Sequence, residues 1–309
     1  YIIFLSKFKE RNKMKKALVD LGSNTVRLSV YQVFEDGSFS LLFSEKETAG
    51  LVNYITDKHM SVEGFDKACD VINDFKRLMA QFDISELNIF ATASLRNISN
   101  RDEALAYIKE KTGESINIVS GKEEAELGYY GAISETALNS GIIFDIGGGS
   151  TEIVRFDGKS IITADSYEIG SLNLFTAFVK NIWPSKSEIK NIKERAKAVL
   201  SPAVPDISCN TICGIGGTNR ALLSLANAYF KKPQDNRTIT SSEFKKLKKV
   251  ILKKDEVSKK LILKNCPDRI HTIIPGMLIT NEIIKKLKAD KIVISRNGVR
   301  EGYLCQKII

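Results

Sequence analysis

The chain has 309 residues, 43% of them hydrophobic, which suffices for a substantial core and for two domains of ordinary size. Its 46 basic against 37 acidic residues leave a net charge of +9, favouring acidic partners such as phosphorylated substrates, nucleic acid or anionic membrane without choosing among them. Two histidines (His59, His271) and five scattered cysteines lacking a CxxC pair give a His-dependent triad, an HExxH metalloprotease, a His-Asp phosphohydrolase or a zinc centre little to build on. The cysteines read as reduced thiols of a cytoplasmic protein.

Residues 1–13 place a short apolar run before basic residues, the reverse of a secretory signal, and are too short to span a bilayer. Met14 opens "MKKALVDLG", so the preceding residues are expected to be a misplaced start or a disordered extension. From Lys16 the pattern is a strand ending near Asp20, a tight polar turn at Gly22, Ser23, Asn24 and Thr25, an alternating strand, an Asp36-Gly37 turn, and a further strand closing at Gly50. A one-faced helix covers Ser61 to Phe82, and "LNIFATASLR" then gives a strand whose small-residue loop ends in Arg96.

The next strand, "INIVS", leads at Ser120 into the helix "SGKEEAELGYYGA". Acids in a first helical turn ordinarily serve the helix dipole, which is the simpler reading of Glu123 and Glu126. Adjacent helical residues point about 100° apart, so Glu123 and Glu124 cannot both aim into one site, and at most one is catalytic. A carboxylate held there could polarise a water for attack on phosphorus.

From Gly141 the first pattern returns. A strand reaches Asp145, a tip follows at Gly147, Gly148, Gly149 and Ser150, and then come an alternating strand, an Asp157-Gly158 turn and a closing Gly170. The correspondence continues through a helix at Ser187 to Leu200 and the strand "NTICGI", whose loop Gly216, Gly217, Thr218 ends in Arg220 before an apolar helix. The Lys-rich stretch Ser241 to Lys260 reads as helix with a solvated face. It lacks the aromatic interleaving of a nucleic-acid surface, so neither nucleic acid nor membrane is an expected partner.

The expectation is therefore α/β, as two related domains with mixed sheets and a cleft between them, 14–136 and 137–309. The last helix, from Val299, is expected to cross back to the first domain. A dinucleotide loop needs a helix after its glycines, but "DIGGGST" runs into the strand-like "TEIVRF", and no GxxxxGK[ST] is present. What remains is a pair of hairpins whose tips offer backbone N–H groups to a phosphate chain. Asp20 and Asp145 could orient Mg²⁺ or its waters, against the simpler reading of turn chemistry. Arg96 could grip phosphate, against that of a surface arginine.

These motifs resemble the exopolyphosphatase/guanosine pentaphosphate phosphohydrolase (Ppx/GppA) family, within the wider actin-like (ribonuclease H-like), sugar-kinase and Hsp70-like superfamily. The carriers, in family order, are "DLGSNTVRL", "ATASLR", "SGKEEA", "DIGGGSTE", "GIGGT" and "SRNGVREGYL". The resemblance implies actin-like domains in the short, two-domain form, and Mg²⁺-dependent removal of terminal phosphate from polyphosphate or from pppGpp. Mn²⁺ and K⁺ are left open as further ions, and a cytoplasmic homodimer is implied. It makes Glu124 the water-activating base and Asp145 its partner in holding metal or nucleophile. Asp20 joins them at the metal, and Arg96 and Arg269 at phosphate. Gly22 to Thr25 and Gly147 to Ser150 become phosphate loops, with Gly216, Gly217 and Thr218 lining the site. A non-catalytic polyphosphate or (p)ppGpp sensor and an ATP-dependent kinase of the same superfamily are the alternatives.

Overall fold

The computed structural model describes residues 14–205 and 207–309, and the expectation for residues 1–13 lies outside them. Two compact units emerge, the first ending at Ile118 and the second spanning Val119–Ile308.

In the first unit β1 (Met14–Leu21), β2 (Val26–Val33) and β3 (Phe39–Glu47) form an antiparallel meander. After a minimal hairpin of β4 (Ile55–Thr56) and β5 (His59–Met60), β6 (Leu87–Ala91) and β7 (Ile116–Ile118) extend the sheet in parallel on the other side of β1. The central β1 buries Ala17, Leu18, Val19 and Leu21 completely, as a strand covered on both faces requires. Helix α1 (Val62–Ala80) turns its predicted stripe, including Phe65, Ala68, Val71, Ile72, Phe75 and Met79, into this core. Two shorter helices, α2 (Ala93–Arg96) and α3 (Arg101–Thr112), complete the unit.

The second unit opens with α4 (Gly121–Ile133) and repeats the meander as β8 (Ser140–Ile146), β9 (Thr151–Asp157) and β10 (Ser160–Tyr167). Helices α5 (Ser171–Phe178) and α6 (Lys186–Ala203) lead to β11 (Thr211–Ile215), which pairs in parallel with β8 as β6 does with β1. Then follow α7 (Gly216–Phe230), β12 (Thr238–Thr240), α8 (Ser241–Lys253), α9 (Glu256–Asn265), α10 (Ile273–Leu287), β13 (Lys291–Ile294) and α11 (Val299–Tyr303). The sheet order is β10-β9-β8-β11-β13-β12. The repeat read from the sequence is thus a repeat of sheet topology, with mixed sheets in both units.

Three expectations change. The division comes before α4 rather than after Thr136, because α4 packs on β8, β9 and β10 and along α11. Glycines on both helices make that packing feasible: a Cβ on Gly131 of α4 would overlap the backbone of Gly298, and one on Gly302 of α11 would overlap the Leu127 carbonyl. The final helix, expected to cross back, therefore meets α4 inside the second unit. The stretch Ser241 to Lys260 is not one helix: Lys254 turns left-handed at φ 58°, and Asp255 caps α9 by accepting the Ser258 N–H at 3.0 Å.

Candidate active site

The hairpin tip between β8 and β9 is held by its carbonyls. Gly147 donates its N–H to the Ser150 carbonyl at 2.9 Å, closing the turn. The Gly147 oxygen accepts from Ser171 N at 2.9 Å, and the Gly148 oxygen from Leu172 N at 2.9 Å and Asn173 N at 3.0 Å. The Gly149 oxygen accepts from the Asn173 side chain at 2.8 Å. The first-turn amides of α5, which have no intrahelical partner, are thus spent on the loop. The amides of Gly148, Gly149 and Ser150 take no bond of this set, which makes them donors available to an anion. Gly170 permits this docking, since a Cβ there would overlap the Gly148 carbonyl and lie 2.6 Å from Gly149 N.

The first unit builds its tip in the same way. Gly22 N bonds Thr25 O at 3.1 Å, Gly50 N bonds Asn24 O at 2.9 Å and Val52 N bonds Ser23 O at 2.9 Å. The Ser94 hydroxyl donates to the Leu21 carbonyl, matching that of Thr218, which donates to the Ile146 carbonyl at 2.8 Å. Arg96 is therefore the counterpart of Arg220. The antiparallel register sets Asp20 opposite Arg27, whereas it sets Asp145 opposite Glu152, so only the second hairpin has two acids side by side on one face.

In the second unit, the start of α7 closes on Asp145. Gly216, at φ 77°, could carry no side chain, because its Cβ would overlap the Asp145 carboxylate. Thr218, expected at phosphate, is buried with its hydroxyl engaged by Ile146, and buried Asn219 donates to the Ile215 carbonyl at 2.8 Å. Both side chains pin α7 to the strand around Asp145, so what α7 can offer an anion is its backbone. Burial raises the Asp145 pKa, and the charges of Arg220, Arg269 and Arg300 oppose that rise. Desolvation, with the charge of Arg300 adding to it, pushes the half-buried Arg220 down to about 10. The Arg269 guanidinium lies on Gly217, where a Cβ would overlap it.

Helix α4 separates its three glutamates. Glu123 is bound by Lys307 at 2.7 Å and Glu126 lies 3.9 Å from Lys122, while Glu124 is 9% exposed and belongs to the buried side of the helix. Ser120 caps the helix by accepting the Glu123 N–H at 3.1 Å. The other end is anchored by Glu135, which accepts from the Ser295 hydroxyl at 2.8 Å and from the amides of Arg296 and Asn297. Although burial opposes it, these donors and the Arg296 charge hold the Glu135 carboxyl below its ordinary range.

A lowered carboxyl pKa adds stability that is present above the unfolded value and is lost as pH falls through the folded one. Glu135→Gln should therefore cost about 1–2 kcal/mol at neutral pH. In thermal melts, its deficit relative to wild type should shrink below the ordinary value of 4.5; a deficit constant with pH would refute the anchor.

Sequence reasoning missed Arg220 and Arg300 as members of the site, along with Glu152, which accepts from the Ser166 hydroxyl at 2.6 Å, and Asn173. Arg220 carried a signal, since it stands at the repeat position of Arg96. Among the described residues no three of His, Cys, Asp and Glu gather as a metal cage. An oxygen-only donor set with few carboxylates suits a hard divalent ion that keeps waters and takes phosphate oxygens.

The sequence profile described as the Ppx/GppA phosphatase family matches residues 29–308. A guanosine-5'-triphosphate,3'-diphosphate pyrophosphatase of Vibrio atlanticus is 27% identical over 298 residues, covering 94% of this chain and 59% of the relative. The chain thus spans less than two thirds of that protein's length. Exopolyphosphatase 1 of Mycobacterium tuberculosis is 25% identical over 309 residues, covering 96% of this chain and 88% of the relative. The crystal structure of an exopolyphosphatase from Cytophaga hutchinsonii superposes with a TM-score of 0.83 at 21% identity, covering 94% of this chain and 96% of that one, and establishes the two-domain actin-like fold.

Proposed function

Because the chain belongs to the Ppx/GppA phosphatase family, we propose that it hydrolyses terminal phosphoanhydride bonds of inorganic polyphosphate, of pppGpp, or of both. The supporting observation is the tip Gly147–Ser150, whose carbonyls are tied to α5 while its amides are left to an anion, in a unit that also buries Glu124. In this reading the amides of Gly148, Gly149 and Ser150 hold the terminal phosphate. Glu124 takes a proton from water as its oxygen attacks the terminal phosphorus in line and the bridging P–O bond breaks. Arg220, Arg269 and Arg300 offset the charge gathering on the phosphoryl oxygens and the leaving group. Asp145 and Glu124 would hold a divalent ion, with Mg²⁺ the proposed identity, and the ion would supply charge neutralisation and orientation. Asp20 and Arg96, with the tip Gly22–Thr25, carry metal and phosphate roles in the first unit. Homodimer formation in the cytoplasm belongs to the same proposal, and a sedimentation mass of a single chain would remove it.

The test is phosphate release from polyphosphates of several lengths and from pppGpp with Mg²⁺ present. Release from either substrate supports the proposal. Tight binding without release would make the protein a sensor, and phosphoryl transfer from ATP to an acceptor without release would make it a kinase. Arg96→Ala should raise KM several-fold, by the loss of a charge-assisted hydrogen bond; unchanged KM and kcat would remove Arg96 from the site.

A further inference from the structure

The peptides of the tip Gly147–Ser150 are aimed from behind. In a planar trans peptide the C=O and N–H point in opposite directions, so a bond that pins a carbonyl also fixes where the N–H of the same peptide points. The Gly147 carbonyl, which shares its peptide with the Gly148 N–H, is pinned twice, by Ser171 N at 2.9 Å and by the Ser171 hydroxyl at 3.0 Å. The Gly148 carbonyl, which shares its peptide with the Gly149 N–H, is held by two backbone amides, those of Leu172 and Asn173. The Gly149 carbonyl, which aims the Ser150 N–H, is held from α5 by a side chain, the Nδ2 of Asn173 at 2.8 Å.

The same side chain accepts the Gly170 N–H through Oδ1 at 2.8 Å. A carboxamide accepts at one end and donates at the other, so a backbone donor and a backbone acceptor together fix which way round it sits. The first unit closes the equivalent gap without a side chain. Asn53 follows Gly50 by three residues as Asn173 follows Gly170. There, however, Gly50 N reaches the Asn24 carbonyl directly at 2.9 Å, and Asn53 is exposed. The second unit thus inserts a half-buried asparagine where the first has a main-chain bond. Gly149 has no Cβ to restrict rotation of the peptide that follows it, so the direction of the Ser150 N–H depends on this clamp.

We infer that Asn173 is a positioning residue of the phosphate grip: its carboxamide holds the Gly149–Ser150 peptide with its N–H toward the terminal phosphate, an inference that rests on the hydrolytic reading above. Once the clamp is removed the peptide can turn over, and it then sets a carbonyl oxygen against the anion. The loss falls on phosphate capture, because Glu124 belongs to a different helix, α4.

The test compares Asn173→Leu and Asn173→Asp with the repeat counterpart Asn53→Leu. Leucine is close to asparagine in size and offers neither bond. Aspartate keeps the acceptor for Gly170 N and loses the donor to Gly149, so it serves if the leucine variant does not fold. With the substrate that wild type hydrolyses, polyphosphate or pppGpp, Asn173→Leu should raise KM about tenfold, the loss of one hydrogen bond to an anion. Its kcat should stay within about twofold of wild type. Asn173→Asp should raise KM at least as much, and Asn53→Leu should leave both constants near wild type. A lowered Tm with unchanged KM would make Asn173 a packing residue and overturn the inference, as would an equal rise in KM for Asn53→Leu. If wild type releases phosphate from neither substrate, the hydrolytic reading fails on its own. Calorimetric titration with tripolyphosphate then judges the clamp separately: about tenfold weaker binding by the Asn173 variants supports it, and binding equal to wild type overturns it.

Discussion

Replacing Glu124 with alanine is expected to lower phosphate release by a factor on the order of 10² to 10⁴, the range for loss of a positioned general base. That corresponds to about 3–5 kcal/mol of transition-state stabilisation. On the proposed mechanism substrate affinity should largely survive, because the tip amides and the arginines would hold the anion without Glu124. Glu124→Gln preserves size and removes the basic oxygen, so it should be impaired almost as severely while melting close to wild type. Single-turnover phosphate release together with substrate binding separates the two effects. Unchanged turnover in either variant would dismiss Glu124 as the base, and a loss confined to alanine would reassign it to packing. Glu123→Gln offers the contrast. Glu123 is paired with Lys307, so its removal should leave turnover near wild type.

The second large effect is expected at Gly131, in the seam between two helices. A Cβ there would overlap the Gly298 carbonyl oxygen and come within 2.6 Å of its carbon and 2.9 Å of its nitrogen. Backbone cannot yield as a flexible side chain does, so Gly131→Ala must separate α4 from α11. Overpacking of this kind costs about 1–3 kcal/mol, despite alanine's better helix propensity. The strain falls on the helix that carries Glu124 in its first turn. Loss of kcat should therefore accompany the lowered Tm, and a variant with wild-type melting and turnover would refute the seam. Gly113→Ala is the control: its left-handed φ of 76° makes it costly, but it lies in the first unit and should lower stability without a specific loss of kcat.

The repeat was legible because it is written in features that sequence carries directly: an acid at the end of an apolar strand, small polar residues at a tip, and a glycine closing the third strand. The structure gives those features a common cause, since Gly50 and Gly170 each stand where the chain folds back to cap the tip's carbonyls. Glu124 was singled out over Glu123 through the resemblance alone; the fold puts Glu123 in a pair with Lys307 and Glu124 on the buried side of α4. Other features were illegible in principle. The glycines of α4 weaken any helical prediction, and they make sense only against remote residues, Gly128 against Ile215 and Gly131 against Gly298 and Gly302. Arg300 has no such repeat signal as Arg220 has, and nothing local marks its convergence with Arg220 on Asp145. The break at Lys254 used a lysine in a conformation for which glycine is the usual signal.

The two tips differ at three of four positions, Gly-Ser-Asn-Thr against Gly-Gly-Gly-Ser, yet share the closing glycine-to-carbonyl bond and a second carbonyl capped by backbone N–H groups from beyond the third strand. Their shape is encoded in the main chain and in the glycine behind it, so the side chains at the tip are free to drift while the grip is inherited. Divergence within this single chain is therefore a record of which parts of an anion grip selection can alter cheaply: the hydroxyls and amides at its rim, but not the small residue that lets the helix close behind it.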